Sequence, residues 1–262
     1  MSELLTRAEL IKLSRVLGAD EAAVAFLAPL GVAGLRRLGA RISLALFGDH
    51  RPALQKLADA SRLLPATLVA RMSELVFGPM LSARVASLMP PERAVEVAQK
   101  LRVKFLADVC IQLDPRSASE LLALVPVKIV VDVARRLLER GEHLVMGRFV
   151  DDLTDEAVRA VADSVTDDAA LVRIAYFVER RERLNELVGL LDAERIRRLV
   201  AAVAAGPADL QAAGMAMMSQ LTHKQQGRFG EAAIALGPQV IETLAAAARA
   251  AGLERELGPL GL

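Results

Sequence analysis

Apolar side chains recur along most of this chain at positions i, i+3, i+4 and i+7, which is one face of a short α-helix. The first clear quartets are Ala94, Val97, Ala98, Leu101; Leu106, Val109, Cys110, Leu113; Ala118, Leu121, Leu122, Val125; and Val130, Val133, Ala134, Leu137. They continue with Met146, Phe149, Val150, Leu153; Val158, Val161, Ala162, Val165; and Leu171, Ile174, Ala175, Val178. Leu184, Leu187, Val188, Leu191 and Ile196, Leu199, Val200, Val203 complete the run. Successive quartets begin 12, 12, 12, 16, 12, 13, 13 and 12 residues apart. So regular a spacing predicts a stack of short helices joined by turns of two or three residues. A helix of about ten residues is about 15 Å long and has little stability alone. Each must therefore bury its face on its neighbours, as the helices of repeat proteins do.

Proline supports the same division. Pro65, Pro79, Pro91, Pro115, Pro126, Pro207 and Pro238 each stand just before an apolar-periodic run, where a helix tolerates proline. Asp114, Gly206 and Gly237 precede three of them as N-cap candidates, and Thr154 and Thr166 are candidates for two more helices. Each of these threonines is followed by two acids suited to a helix N-terminus. A longer period overlies the short one: Glu139-Arg140-x-Glu142-x-Leu144 returns as Glu179-Arg180-x-Glu182-x-Leu184, forty residues on.

The pattern divides the chain into an irregular N-terminal part (1–62), short-helix repeats (63–205) and longer Ala/Met-rich helices (206–262). The N-terminal part predicts helices at 3–17, 20–28, 30–47 and 51–62, and the C-terminal part three helices over 206–252 with a tail from Leu257. No Gly-, Ser- or Pro-rich linker separates these parts, so they read as one continuous domain. No stretch has the alternation of a hairpin strand. The expected fold is all-α, a right-handed superhelix or solenoid of about fifteen short helices.

Composition narrows the functions. The chain is 53% hydrophobic but only 3% aromatic, with no Trp and one Tyr, and its net charge is +1. It offers neither the basic field nor the stacking surface of a nucleic-acid binder. The N-terminal MSELLTRAELIKLSRVLG lacks the apolar core of a signal peptide. The best candidate span, Leu199 to Leu221, is interrupted by Gly206-Pro207 and Asp209, so no transmembrane segment is expected. Cys110 is the single cysteine and sits inside a quartet, which predicts a buried thiol and fits a reducing cytoplasm. Arginine and alanine richness points toward a bacterial source.

The forms Leu88-Met89-Pro90-Pro91-Glu92-Arg93-Ala94 and Leu113-Asp114-Pro115, continuing through Ala118, Leu121-Leu122 and Val125-Pro126, resemble the cytosolic N-terminal superhelical domain of MgtE-type magnesium transporters. That short-helix fold is similar to armadillo-like parts of the flagellar motor-switch protein FliG. The likeness covers about residues 60–205 and implies a fold, with a sensing or docking role. The family's paired CBS modules and membrane pore do not appear in this sequence.

Three clusters are candidate sites. Asp151, Asp152, Asp155 and Glu156 begin an acidic stretch that continues through Asp163, Asp167 and Asp168, a chemistry suited to a hard divalent cation. The resemblance adds that acids of this domain help sense magnesium; the first turns of helices, where acids are favoured, are the leading account of Asp155, Glu156, Asp167 and Asp168. Arg180, Arg181, Arg183, Arg195, Arg197 and Arg198 alternate with glutamates and suggest an exposed face for a protein partner or a lipid headgroup. Met215, Met217 and Met218 could line a groove for a hydrophobic small molecule. His50, His143 and His223 have no zinc-site spacing, and no nucleophile elbow, phosphate loop or dinucleotide fingerprint occurs. The expectation is a non-enzymatic cytoplasmic scaffold or adaptor without a cofactor, acting through a protein partner or self-association. A hydrophobic-ligand carrier and a magnesium sensor are the alternatives.

Overall fold

The structure, a computed structural model, describes residues 2–48 and 51–253. His50 and the expected tail from Leu257 lie outside them. Among the described residues every regular element is a helix and none is a strand. In chain order they are α1 (Ser2–Leu17), α2 (Glu21–Val24, continuing as a 3₁₀ turn Ala25–Leu30), α3 (Gly31–Gly48) and α4 (Arg51–Ser61). Next come α5 (Ala66–Met72), a π-helical turn Ser73–Phe77, α6 (Gly78–Ala86), α7 (Pro91–Ala98), α8 (Val103–Gln112), α9 (Ser119–Leu124) and α10 (Val127–Glu139). Then follow α11 (His143–Phe149), α12 (Asp155–Ser164), α13 (Asp168–Tyr176), α14 (Arg181–Gly189) and α15 (Ala193–Ala205). The last three are α16 (Ala208–Ser219), α17 (His223–Leu236) and α18 (Pro238–Ala250). Each apolar quartet falls on one helix and its following turn, and no quartet residue is exposed.

The chain groups into two compact units. One unit joins Met1–Ala45 to Asp167–Leu262; the other is Leu46–Thr166. In the second, packing runs between alternate helices: α4 on α6, α6 on α8, α8 on α10 and α10 on α12, with α5 on α7 and α7 on α9. Two rows of helices result, one with a core of Ala66, Val69, Ala70 and Val97 between α5 and α7, the other with Leu54, Ala58 and Val85 between α4 and α6. In the first unit α13 packs on α15 and α16, α15 on α17, and α16 on α18, while α1 reaches α16. Alternate-helix packing sets the sequence separation of the polar cross-links. Arg102 to Glu74 spans 28 residues, Arg140 to Asp108 spans 32, and Arg148 to Asp114 spans 34.

Helix ends explain much of the polar sequence. Thr154 Oγ1 accepts the Ala157 N–H, as expected of a cap. The cap of α13 is Asp167 rather than Thr166: its Oδ1 accepts from Ala169 and Ala170, at 2.9 and 3.1 Å. A carboxylate there satisfies two orphan N–H groups and complements the helix dipole as well. Asp192 and Thr222 cap α15 and α17 in the same way. Pro207 itself is the N-cap of α16, leaving Gly206 one place earlier.

One stretch, Glu21–Ile42, is long and apolar enough by composition to cross a membrane, and little of it is buried. Its helical course is broken at Gly31, which has φ 62° and ψ 176° directly after Pro29 and Leu30. Arg36, Arg37 and Arg41 punctuate its second half.

In the first unit a buried ionic network joins α1 to distant chain. Glu9 Oε1 accepts from Lys12 Nζ (3.1 Å) and Arg36 Nε (2.9 Å), and Lys12 Nζ also donates to Glu179 Oε1 at 3.1 Å. Glu9 and Lys12 are only 6% and 9% exposed. Removing one member strands charge in a poorly hydrated place. Lys12→Ala should therefore lower unfolding stability by about 3 kcal/mol. Arg197→Ala, which breaks only the exposed Arg197–Glu194 pair, should change it by less than about 1 kcal/mol. Urea denaturation of the two variants checks the contrast.

Candidate functional site

Of the six arginines singled out in the sequence, Arg180, Arg181, Arg197 and Arg198 are exposed, Arg195 is half-buried and Arg183 is buried. Arg181 Nε donates to the Gln220 carbonyl at 2.6 Å, and its Nη2 points to that of Leu221. These are C-terminal carbonyls of α16, which have no partner inside their own helix. Arg183 is buried, with Glu186 3.5 Å away. Arg195 and Arg198 both meet Asp168, at 3.0 and 3.3 Å. Arg197 pairs with Glu194, and Arg180 is exposed. Arg181, Arg195 and Arg198 of this mixed-charge stretch also cross-link α13, α14, α15 and the end of α16.

Two other arginines use the device of Arg181. Arg93, on α7, donates to the carbonyls of Ser61 and Leu64 beyond the end of α4. Arg228, on α17, donates to those of Val188 and Leu191 at the end of α14. In each case a guanidinium fork bonds two carbonyls at or just past the end of a helix roughly 30 to 40 residues earlier or later.

The acidic residues are also divided. Asp155 and Glu156 are exposed in the first turn of α12, while Asp151 and Asp152 lie half-buried in the preceding turn. Among the described residues no three His, Cys, Asp or Glu side chains converge as a metal ion would require. Asp167 caps α13 and Asp168 holds the two arginines.

Met215, Met217 and Met218 are each less than 5% exposed. They line an apolar cavity in the first unit with Val203, Phe229 and Leu244. The cavity holds about 30 Å³, the scale of a single water, and almost no polar surface faces it. Gly214 lets α16 approach α15 closely, since a Cβ there would lie 2.9 Å from Val203 Cγ1. This is a core in near-complete contact. Enlarging it with Met217→Ala should cost about 3 kcal/mol in denaturation experiments.

Burial shapes two titratable groups. It pushes the Cys110 thiol up to about 12, so the thiolate that would make it nucleophilic is absent near neutral pH. It also pushes Tyr176 up to about 12, and the Tyr176 hydroxyl donates to the Leu4 carbonyl at 2.7 Å. Folding favours the neutral phenol, so this stabilisation is complete below about pH 10 and is lost as pH rises toward 12. Tyr176 is the single tyrosine and there is no tryptophan. Absorbance at the phenolate band should therefore show one transition near pH 12 in the native protein. A midpoint near 10 in folded protein would contradict the buried hydrogen bond.

The surface feature with no internal account lies in the second unit. Leu63, Leu68, Leu75, Val76 and Met80 are all exposed within eighteen residues, Leu63 at 87%, Leu75 at 71% and Val76 at 73%. α5 and its π turn carry two apolar faces. Ala66, Val69, Ala70 and Ser73 are buried, whereas Leu68, Leu75 and Val76 face out with Met72 half-buried between them. The outward positions are i, i+4, i+7 and i+8, a second helical stripe. Sequence reading concentrated on the quartets from Ala94 onward and passed over it. A helix apolar on both sides was the available signal. Comparison with known protein families, curated proteins and solved structures finds no match.

Proposed function

We propose that this chain is a helical-repeat adaptor, a non-enzymatic protein that binds another protein through exposed apolar surface on its second unit. The observation that carries this reading is the patch formed by Leu63, Leu68, Leu75, Val76 and Met80. Apolar residues scattered singly over a surface are ordinary; five within one short segment, three of them more than 70% exposed, mark an interaction surface. Alternate-helix packing in two rows supports a superhelical solenoid of the kind the MgtE-like and armadillo-like resemblance implies. In such a fold each helix covers its predecessor, and an apolar face on α5 is the natural seat for one more helix. The cytoplasm suits a chain whose one thiol, half-buried on α8, is held in its unreactive protonated form.

The Met-lined cavity gives a hydrophobic-ligand carrier less support, because about 30 Å³ accommodates no lipid chain without repacking. Magnesium sensing would need carboxylates to come together that stand apart in the described residues.

Purification of tagged wild-type protein from its own cells should yield a protein partner in stoichiometric amount. Leu75→Glu combined with Val76→Glu should abolish that association while leaving circular dichroism and the melting temperature within a few degrees of wild type. Retention of the same partner by the folded double variant would remove the patch from the interaction.

A further inference from the structure

The exposed stripe is not purely apolar. Arg71 is exposed at i+3 from Leu68 and i−4 from Leu75, so it lies within the stripe itself. Arg62 precedes Leu63, and the turn between α7 and α8 brings Lys100 and Arg102 to the far end. There the Arg102 backbone N–H and Nε both donate to Glu74, at 2.8 Å each. Among the described residues Arg62, Arg71, Lys100 and Lys104 make no ion pair, and all four are exposed. From residue 61 to 104 the sequence holds seven Lys and Arg against three Glu. Of those three, Glu74 and Glu96 are already bonded to Arg102 and Arg93, which leaves Glu92. The surplus of unpaired cations therefore coincides with the surplus of exposed apolar side chains, in a chain whose net charge is only +1.

We infer that the Leu68–Leu75–Val76 stripe of α5 docks an acidic amphipathic helix of a partner protein. The partner's apolar residues cover the stripe, and its carboxylates meet Arg71 in the middle and Arg62 and Lys100 at the ends. This rests on the adaptor reading and adds the chemistry of the partner. Two features select a helix over a lipid surface. First, the stripe has helical spacing, and α5 already packs its opposite face against α7, so a further helix repeats the packing mode of its row. Second, Arg71 sits between Leu68 and Leu75. Insertion of those leucines among acyl chains would carry the guanidinium with them at a steep desolvation cost. A membrane-binding helix keeps its cations on the opposite, polar face instead. Against a protein helix the same guanidinium gains a charge-assisted, bidentate carboxylate contact.

The test uses the full chain and a fluorescein-labelled peptide of roughly twenty residues, long enough to be helical. Leu occupies its i, i+4, i+7 and i+11 positions, Glu flanks them and Ala fills the rest. A matched peptide replaces Glu by Lys. Anisotropy should show saturable binding of the Glu peptide that weakens with salt, and binding of the Lys peptide at least about tenfold weaker. Arg71→Glu and Leu75→Glu should each weaken the Glu peptide by about tenfold or more. Arg71→Lys, which keeps the charge and loses the fork, should lie between wild type and Arg71→Glu.

Equal binding of the two peptides, or an Arg71→Glu variant that binds like wild type, would overturn the inference. So would failure of the Glu peptide alongside sedimentation with phosphatidylserine vesicles, which would make the patch a membrane contact. If the Glu peptide fails to bind but the double Leu75→Glu, Val76→Glu variant still loses its cellular partner, the acidic-helix chemistry falls and the adaptor reading stands.

Discussion

A helix of six to thirteen residues cannot hold itself together in water: nucleation is costly and few backbone bonds repay it. Nearly every helix from α4 to α18 falls in that range, so each depends on burying its apolar face against others. The second unit resolves this by pairing each helix with the one two places on, as α6 with α8 and α8 with α10. Everything else in that unit follows from the choice. Cores form between alternate helices, polar cross-links span about thirty residues, and α5, first of its row, turns a second apolar face outward.

Short helices also multiply ends. Each end leaves N–H or carbonyl groups without intrahelical partners, and a stack this finely divided has far more of them than a bundle of long helices of equal size. The chain answers at N-termini with Thr154, Asp167, Asp192 and Thr222, and at C-terminal carbonyls with arginine forks from another helix, as Arg93, Arg181 and Arg228 show. Arginine suits this work because its planar head serves two acceptors at once and stays charged. A fork that donates to both Gln220 and Leu221 fixes the junction of α14 with the end of α16 more firmly than apolar contact alone.

This accounts for what was legible in the sequence and what was not. The helices were legible because a period of 3.6 residues is local: α15 announces itself through Ile196, Leu199, Val200 and Val203 without reference to the rest of the chain. The destination of a polar side chain is not local. Arg181 and Arg197 look alike in sequence, each within three residues of a glutamate, yet one bonds a carbonyl thirty-nine residues away while the other pairs three residues back at the surface. The same holds for the acids, where Asp167 caps a helix and Asp168 next to it binds two arginines. Grouping into units escaped the sequence for a related reason. The first unit unites chain segments from both ends, and its Glu9–Lys12–Glu179 network links residues more than 160 positions apart with no motif at either place.

The apolar patch on α5 is best understood by asking what the same residues would do inside a row. Leu68, Met72, Leu75 and Val76 have the size of side chains such as Leu54, Leu81 and Val85 that α4 and α6 bury against each other, so the patch is core-like in all but location. Left uncovered, several such side chains carry an unfavourable exposure of order 1–2 kcal/mol each. A chain that needed only stability could shed this by placing polar residues there at no cost to the buried face of Ala66, Val69 and Ala70. Arg71 in the midst of the stripe argues further, since it keeps the exposed face from closing on a like face of another copy: two guanidiniums would be buried together. The arrangement tolerates solitude through Arg71 and the flanking lysines, and it becomes favourable when a surface bringing both leucine-like and carboxylate groups arrives. Affinity then comes from the apolar stripe, and the choice of partner from the cation at its centre.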